Sequence, residues 1–142
     1  MKILAVDYGD SRTGLAVCDA SEFLSTPLPQ IEEKSMNKVA AAIVEASQAQ
    51  KVGMIVVGLP RNMDGTEGSR AQKTRKMAGI VEQAVEIPVR FWDERRTTVT
   101  AAAQLSEAGT FGKKRKDKLD SVSAAVILDS FLAWRKNHPD ET

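Results

Sequence analysis

The chain has 142 residues, of which 42% are hydrophobic, and this length suits one domain with its own hydrophobic core. Twenty basic and nineteen acidic residues leave a formal charge of +1, so overall charge does not point to a polyanionic partner. The single cysteine excludes an internal disulfide, and the first residues lack the apolar stretch of a signal peptide or a membrane span. We therefore expect a soluble cytoplasmic protein that has no membrane partner.

Apolar runs and helical stripes alternate along the chain, which is typical of an α/β domain. The first predicted element is a hairpin, with strands over residues 3–7 and 15–18 and a turn from Gly9 to Gly14. Residues 22–31 contain Pro27 and Pro29 and so predict an edge strand at most. A helix with an apolar stripe over 36–44 and a buried strand over 52–57 are predicted next. A helix capped by Thr66 or Ser69 then ends near 84, and a strand follows over 87–92. The last predicted elements are helices over 97–108 and 119–136. One domain is predicted over 1–137, and 138–142 are expected to form a frayed tail.

A carboxylate ends the first apolar run, where Asp7 follows Val6. Desolvating a charge at the end of a buried strand is costly unless a ligand, a metal or a partner charge compensates it. Asp7 therefore indicates a chemical role. The alternative is that its side chain only starts the turn by bonding its own backbone.

Three further acidic residues lie at two element boundaries: Asp93 and Glu94 follow one predicted strand, and Asp120 opens the last helix. Ligands of α/β sheets gather at the carboxyl ends of the strands, so Asp7 and the 93–94 pair share one rim if their strands are parallel neighbours.

Asp120 lies on the helical stripe of Ala124, Ile127 and Phe131, whose apolar side chains predict a face turned toward the sheet. This spacing directs the Asp120 carboxylate inward. The alternative is a first-turn acid that the helix dipole favours.

Several converging carboxylates repel one another unless divalent cations lie between them, and oxygen ligands favour Mg²⁺ or Mn²⁺. A site of this kind supports two-metal phosphoryl transfer and needs no histidine base. The only histidine, His138, lies in the predicted tail, and Cys18 lies within a strand, where a small core residue is expected. The sequence thus offers little support for serine, cysteine or zinc chemistry.

Basic residues are concentrated in two places. A glycine-containing loop between two predicted helices carries Lys113, Lys114, Arg115 and Lys116, which suits the phosphates of a nucleic acid. The predicted helix that ends near 84 carries Arg70, Lys73, Arg75 and Lys76, spread over more than one face. The alternative for both groups is a solvated charged surface.

Four segments together resemble the YqgF family of Holliday junction resolvase-like proteins, in the family's order and over nearly the whole chain. They are the hairpin over 7–14, the Gly58-Leu59-Pro60 segment with Met63-Asp64-Gly65 and Gly68, the run over 93–98, and Lys118-Leu119-Asp120 with Ala124-Ala125 and Ile127-Leu128. The resemblance implies a ribonuclease-H-like fold, an α/β domain with a five-stranded mixed sheet flanked by helices. It also implies a metal-dependent nuclease of the bacterial cytoplasm that processes the 5′ end of the 16S rRNA precursor, with a ribosomal precursor particle as a possible partner, or that acts on branched DNA.

Carried over residue by residue, the family's acidic site falls on Asp7, Glu94 and Asp120, as catalytic residues and ligands of Mg²⁺ or Mn²⁺. Side chains alternate along a strand, so only one of Asp93 and Glu94 points to the metals. We assign Glu94, which has the longer side chain, and expect Asp93 to orient Arg95 or to cap the next helix. Three carboxylates that share two metals must lie within about 8 Å of each other.

Arg12 and Arg95 are the expected phosphate contacts beside this site, because a guanidinium fork matches phosphate geometry. The predicted strand over 52–57 closes with Gly58 and carries no carboxylate, unlike other nucleases of this fold. The loop over 58–68 is either a backbone cradle for substrate or a structural turn.

Two other functions fit parts of the sequence. Asp7-Tyr8-Gly9 with Gly14 also resembles the phosphate hairpin of actin-like kinases, although those enzymes close two such domains around a nucleotide. A ribosome-assembly factor that binds RNA without cleaving it would keep the acidic cluster for stability, and absence of metal binding would favour it. The sequence leaves open RNA against DNA as substrate, and a monomer against a homodimer.

Overall fold

In the computed structural model of this protein, residues 1–97 and 119–138 are described, with residues 119–121 described by their backbone alone. The described strands are β1 (Ile3–Asp7), β2 (Arg12–Cys18), β3 (Ser25–Glu32), β4 (Met54–Leu59) and β5 (Val89–Asp93). The described helices are α1 (Met36–Ala49), α2 (Ser69–Ala84) and α3 (Leu119–Asn137), with a short 3-10 helix over Glu94–Arg96.

The strands form one mixed sheet in the order β3-β2-β1-β4-β5. β1 pairs antiparallel with β2, and β2 with β3, whereas β1 runs parallel to β4 and β4 parallel to β5. The predicted five-stranded mixed sheet is confirmed, and β3 lies at an edge as its two prolines require.

Alternation along the central strand builds two cores, one on each face of the sheet. Ile3 and Ala5 of β1 face α3, together with Trp92 of β5. Leu4 and Val6 face the opposite way and pack with buried residues of α1 and α2. A buried parallel strand with apolar residues on both faces explains why β1 and β4 read as continuous apolar runs.

The predicted stripe of α3 is confirmed, since Ala124, Ile127 and Phe131 are all buried against the sheet. Trp92 also donates a hydrogen bond from Nε1 to Ser130 Oγ, at 3.1 Å. α3 thus holds the β5 side of the sheet as well as its centre. Cys18 is buried, as expected of a small core residue.

Several predicted bounds differ from the structure. β2 begins three residues earlier than predicted, β3 begins three residues later, and β4 and β5 each begin two residues later. The predicted cap of α2 is wrong: Gly68 is the N-cap residue, without a side-chain bond, while Thr66 instead bonds Asp64 within the preceding loop. α3 continues through Asn137, one residue beyond the prediction.

The predicted helix over 97–108, beyond Thr97, and the basic loop with Lys113, Lys114, Arg115 and Lys116 lie outside the described residues. The division into a domain over 1–137 and a tail over 138–142 stays a prediction. None of the helices in the described ranges combines the length and the apolar character that a membrane crossing requires.

Leu128→Ala tests the core beneath α3. Leu128 is fully buried in the α3 face, so we expect the free energy of unfolding to fall by about 2–5 kcal/mol. Leu24→Ala is the matched control, because the same change at a side chain 62% exposed should cost less than about 0.5 kcal/mol. Urea denaturation of both variants measures the difference, and equal losses would contradict the assignment of this core.

Candidate active site

The carboxyl ends of β1, β4 and β5 meet at one edge of the sheet because these strands run parallel. A cavity of about 340 Å³, here called the acidic cavity, opens at this edge. Asp7 from the end of β1 and Glu94 from the residue after β5 both line it. The structure therefore brings together two carboxylates that lie 87 positions apart in the sequence. Its described lining residues are Asp7, Arg70, Glu94, Thr97, Ser123, Val126 and Ile127.

The hairpin at the end of β1 holds Asp7 in place. Asp7 lies opposite Gly14 in the β1–β2 ladder, so its backbone is fixed by strand pairing up to the last residue. The turn then passes so tightly that a Cβ on Gly9 would overlap the carbonyl of Arg12. Glycine at this position lets the chain return directly beside Asp7.

Gly58 makes room for Glu94. A Cβ built on Gly58 would lie 2.8 Å from Glu94 Oε1 and 2.5 Å from Ile127 Cδ1. Any larger residue would displace the carboxylate or α3. β4 carries no carboxylate of its own, and its Gly58 leaves the space that the Glu94 carboxylate after β5 occupies.

Asp93 ends β5 and Glu94 begins the 3-10 helix, so the expected alternation along a continued strand does not apply to this pair, although the two carboxylates still take different surroundings. Asp93 accepts hydrogen bonds from the backbone nitrogen of Arg95 at 3.0 Å and from Arg95 Nη2 at 2.6 Å. It is therefore the N-cap of the 3-10 helix and the partner of Arg95 at the same time. The hydrogen bonds from the Arg95 side chain lower the pKa of Asp93 against the opposing effect of burial. Asp93 stays charged and committed to this pair, which leaves Glu94 for the cavity.

The third predicted carboxylate, Asp120, lies in the first turn of α3. Ser123, three residues later, lines the acidic cavity, so this end of the helix is at the site. The side chain of Asp120 lies outside the described residues, and the expected spacing of three carboxylates stays a prediction. Among the side chains that are described, no cluster of three His, Cys, Asp or Glu residues is arranged to hold a metal ion.

Arg70 is the arginine that the structure places in this cavity. It comes from the first turn of α2, and the sequence showed it only as one member of a basic group on that helix. Arg12 and Arg95 are not among the described lining residues, and the Arg95 guanidinium is held by Asp93 at 2.6 Å. A phosphate contact of either residue stays a prediction.

The donor set fits a hard divalent cation. Asp7 and Glu94 offer carboxylate oxygens in a cavity that contains no described sulfur or imidazole ligand, and such oxygens are preferred by Mg²⁺ and Mn²⁺. Arg70 on the same wall adds a positive group that suits an anionic substrate.

Mixed strand order and a carboxylate pair at the carboxyl edge define a ribonuclease-H-like domain, and solved structures share this fold. The T. thermophilus RuvC in complex with a Holliday junction substrate superposes with a TM-score of 0.64 at 14% identity, over 97% of this chain and 96% of that one. The fowlpox virus Holliday junction resolvase gives a TM-score of 0.56 at 10% identity, over 97% of this chain and 99% of that one. At such identities the likeness establishes the fold.

The family model of RuvX, a Holliday junction resolvase, matches residues 1–134, and this chain belongs to that family. Relatives named "Putative pre-16S rRNA nuclease" cover nearly its full length. That of Ruegeria pomeroyi is 40% identical over 95% of this chain and 88% of its own, and that of Thermoanaerobacter pseudethanolicus is 38% identical over 96% and 99%. The resemblance inferred from the four sequence segments is confirmed.

Gly58→Ala tests the space above β4. We expect the added methyl group to displace Glu94 and to weaken Mn²⁺ binding by about 10–100-fold, because changing a residue that positions a metal ligand typically costs this much affinity. Gly79→Ala is the matched control, since a Cβ there meets nothing within 4 Å and alanine favours the interior of α2. Calorimetric titration with Mn²⁺ measures both variants, with urea denaturation to confirm folding. A folded Gly58→Ala protein with unchanged affinity would contradict the role of this glycine.

Asp93→Asn tests the pair with Arg95 through its pH dependence. The folded pKa of Asp93 lies below its unfolded value, so the pair stabilises the fold above the unfolded pKa and loses this effect as pH falls through the folded pKa. We expect the variant to unfold more easily at neutral pH by up to about 1 kcal/mol, and the difference to shrink in acid. Denaturation across this pH range measures it. Asp10→Asn, at a side chain 81% exposed, is the control, and a pH-independent difference at Asp93 would contradict the argument.

Proposed function

We propose that this protein is a metal-dependent endonuclease that hydrolyses phosphodiesters at the acidic cavity, and that its substrate is the 5′ end of precursor 16S rRNA. The observation that carries the proposal is the pair Asp7 and Glu94, brought to one cavity by strands that lie far apart in the sequence. Membership of the RuvX family supports the same chemistry.

Asp7 and Glu94 would hold Mg²⁺ or Mn²⁺, and Asp120 at the start of α3 would complete the set. When bound in such a site, the metal supplies an activated water and stabilises the leaving oxygen. Gly58 keeps the position of the Glu94 carboxylate open, while the Asp7 backbone is fixed by its pairing with Gly14. These constraints preorganise the two carboxylates before substrate arrives.

Arg70 would bind a phosphate of the substrate beside the scissile bond. It shares the wall of the acidic cavity with both carboxylates, and its guanidinium geometry suits a phosphate. Phosphate contacts of this type position the strand and carry no sequence information by themselves.

The RNA substrate is supported by relatives at 35–40% identity that are named for pre-16S rRNA. The alternative is a four-way DNA junction, which the description of the family favours. The family match over residues 1–134 weighs against the actin-like kinase alternative, and the RNA-binding factor without catalysis remains an outcome of the test below.

Asp7→Asn and Glu94→Gln test the catalytic assignment. Each removes one negative ligand with little change of shape, and we expect cleavage to fall by about a hundred-fold or more, because the charge stabilisation that a metal gives is worth several kcal/mol. Asp10→Asn is the matched control, since this acid lies three residues from Asp7 with a side chain 81% exposed. Labelled precursor rRNA and a four-way DNA junction, each with Mg²⁺ or Mn²⁺, are the substrates.

The substrate that is cut identifies the activity. Cleavage of the junction alone would replace the RNA proposal with a resolvase. Metal-dependent cleavage that survives both substitutions would overturn the site. Binding of the RNA without cleavage by the wild-type protein would support the assembly factor instead.

A further inference from the structure

A second and larger cavity, of about 490 Å³, lies at the β5 edge of the sheet and is here called the β5-edge cavity. Its size falls in the range of cavities that accept small organic ligands. Both charged and aromatic side chains form its walls, and nothing in the proposed chemistry uses them. The described lining residues are Leu59, Arg61, Arg75, Arg90, Phe91, Trp92, Asp93, Arg96, Phe131 and Trp134.

Four arginines from four different segments converge on this cavity. Arg61 follows β4, Arg75 comes from α2, Arg90 from β5, and Arg96 from the 3-10 helix. In the sequence these residues are spread over 36 positions and form no run, so no charge cluster is visible there. The fold concentrates positive charge at a place that the sequence does not mark.

Carboxylates neutralise only part of this charge. Glu67 accepts from Arg75 at 2.6 and 2.8 Å and lies 3.5 Å from Arg61. For Arg90 and Arg96, no carboxylate of the described residues lies within ion-pair distance, and both residues are exposed. Within the described residues, these two are the arginines of the cavity that have no carboxylate partner.

The aromatic walls are ordered by mutual contacts. Arg96 lies 4.7 Å above the Trp92 ring, and Arg75 lies 4.8 Å from the Phe91 ring centre. Trp134 is partly exposed; its ring stacks on His138, with 4.8 Å between the centroids, and packs 5.7 Å from Trp92. Flat rings and guanidinium planes together are the surfaces on which unpaired bases stack.

We propose that the β5-edge cavity binds an unpaired stretch of the nucleic-acid substrate, with Arg90 and Arg96 on its phosphates and a base beside the exposed part of the Trp134–His138 stack. A concave cavity with aromatic walls favours an unpaired strand, because a duplex keeps its bases stacked inside and presents a convex backbone. The inference rests on the proposed function only in that the substrate is a nucleic acid.

The end of β5 connects this cavity to the acidic cavity. Asp93 lines the first and Glu94 the second, although they are neighbours in the chain. A strand held at the β5 edge therefore extends past the end of β5 toward the two carboxylates. This cavity would select substrates with an unpaired segment next to the cleavage point.

Binding of a labelled single-stranded oligonucleotide, followed by fluorescence anisotropy in EDTA, tests the proposal without any cleavage. For Arg90→Gln/Arg96→Gln we expect affinity to fall about ten-fold or more, since hydrogen bonds to charged groups are lost. The slope of log affinity against log salt should fall by about 1.4, which is two phosphate contacts on a single strand. Lys2→Gln/Lys51→Gln, with the same loss of charge before β1 and β4, is the matched control and should bind as the wild type does.

Trp134→Phe gives a second readout that loss of charge cannot produce. Trp92 and Trp134 are the only two tryptophans of the chain and both line this cavity, so intrinsic fluorescence reports directly on it. We expect the oligonucleotide to quench this emission in the wild type and to quench it less in the variant.

Unchanged affinity and salt slope in the double arginine variant would overturn the proposal, as would equal losses for a duplex of the same length. Both experiments are independent of catalysis. If the wild-type protein binds through these arginines but cleaves neither substrate, the proposed nuclease fails while the binding site stands.

Discussion

Parallel pairing of β1 with β4 and of β4 with β5 is the constraint on which the acidic cavity depends. It places the carboxyl ends of all three strands at one edge, so that a residue closing β1 and a residue following β5 border the same space. If β4 ran antiparallel to β1, the carboxyl ends of β4 and of its parallel partner β5 would lie at the opposite edge of the sheet. Burial of both sheet faces, by α3 on one side and α1 with α2 on the other, maintains this pairing.

The junction between β5 and the 3-10 helix contributes one carboxylate to each of the two cavities. Asp93 turns toward Arg95 and the β5-edge cavity, and Glu94 turns into the acidic cavity. The change from strand to 3-10 helix between these two residues separates them, and the hydrogen bond that the Arg95 nitrogen donates to Asp93 fixes where the strand stops. One local geometry thereby positions a carboxylate in the acidic cavity and an arginine-lined surface beside it.

α3 couples the stability of the fold to the site. Its buried stripe forms much of one core, while Ser123, Val126 and Ile127 reach the acidic cavity from the same helix. Ile127 also packs close to Gly58, the residue that leaves space for Glu94. A change in this helix that loosens the core is therefore expected to disturb the carboxylates as well, because both depend on how closely α3 approaches β4.

The sequence by itself determined the hairpin with Asp7 at its end, the edge position of β3 and the stripe of α3, since each follows from local periodicity or turn chemistry. The capping of α2 was misjudged because Thr66 bonds within its own loop. Only the tertiary structure decided that Gly58 lies beneath Glu94, that Arg70 borders the carboxylates, and that Arg61, Arg75, Arg90 and Arg96 meet around the tryptophans. These contacts depend on which strands become neighbours, and that choice joins residues whose separation along the chain leaves no local pattern.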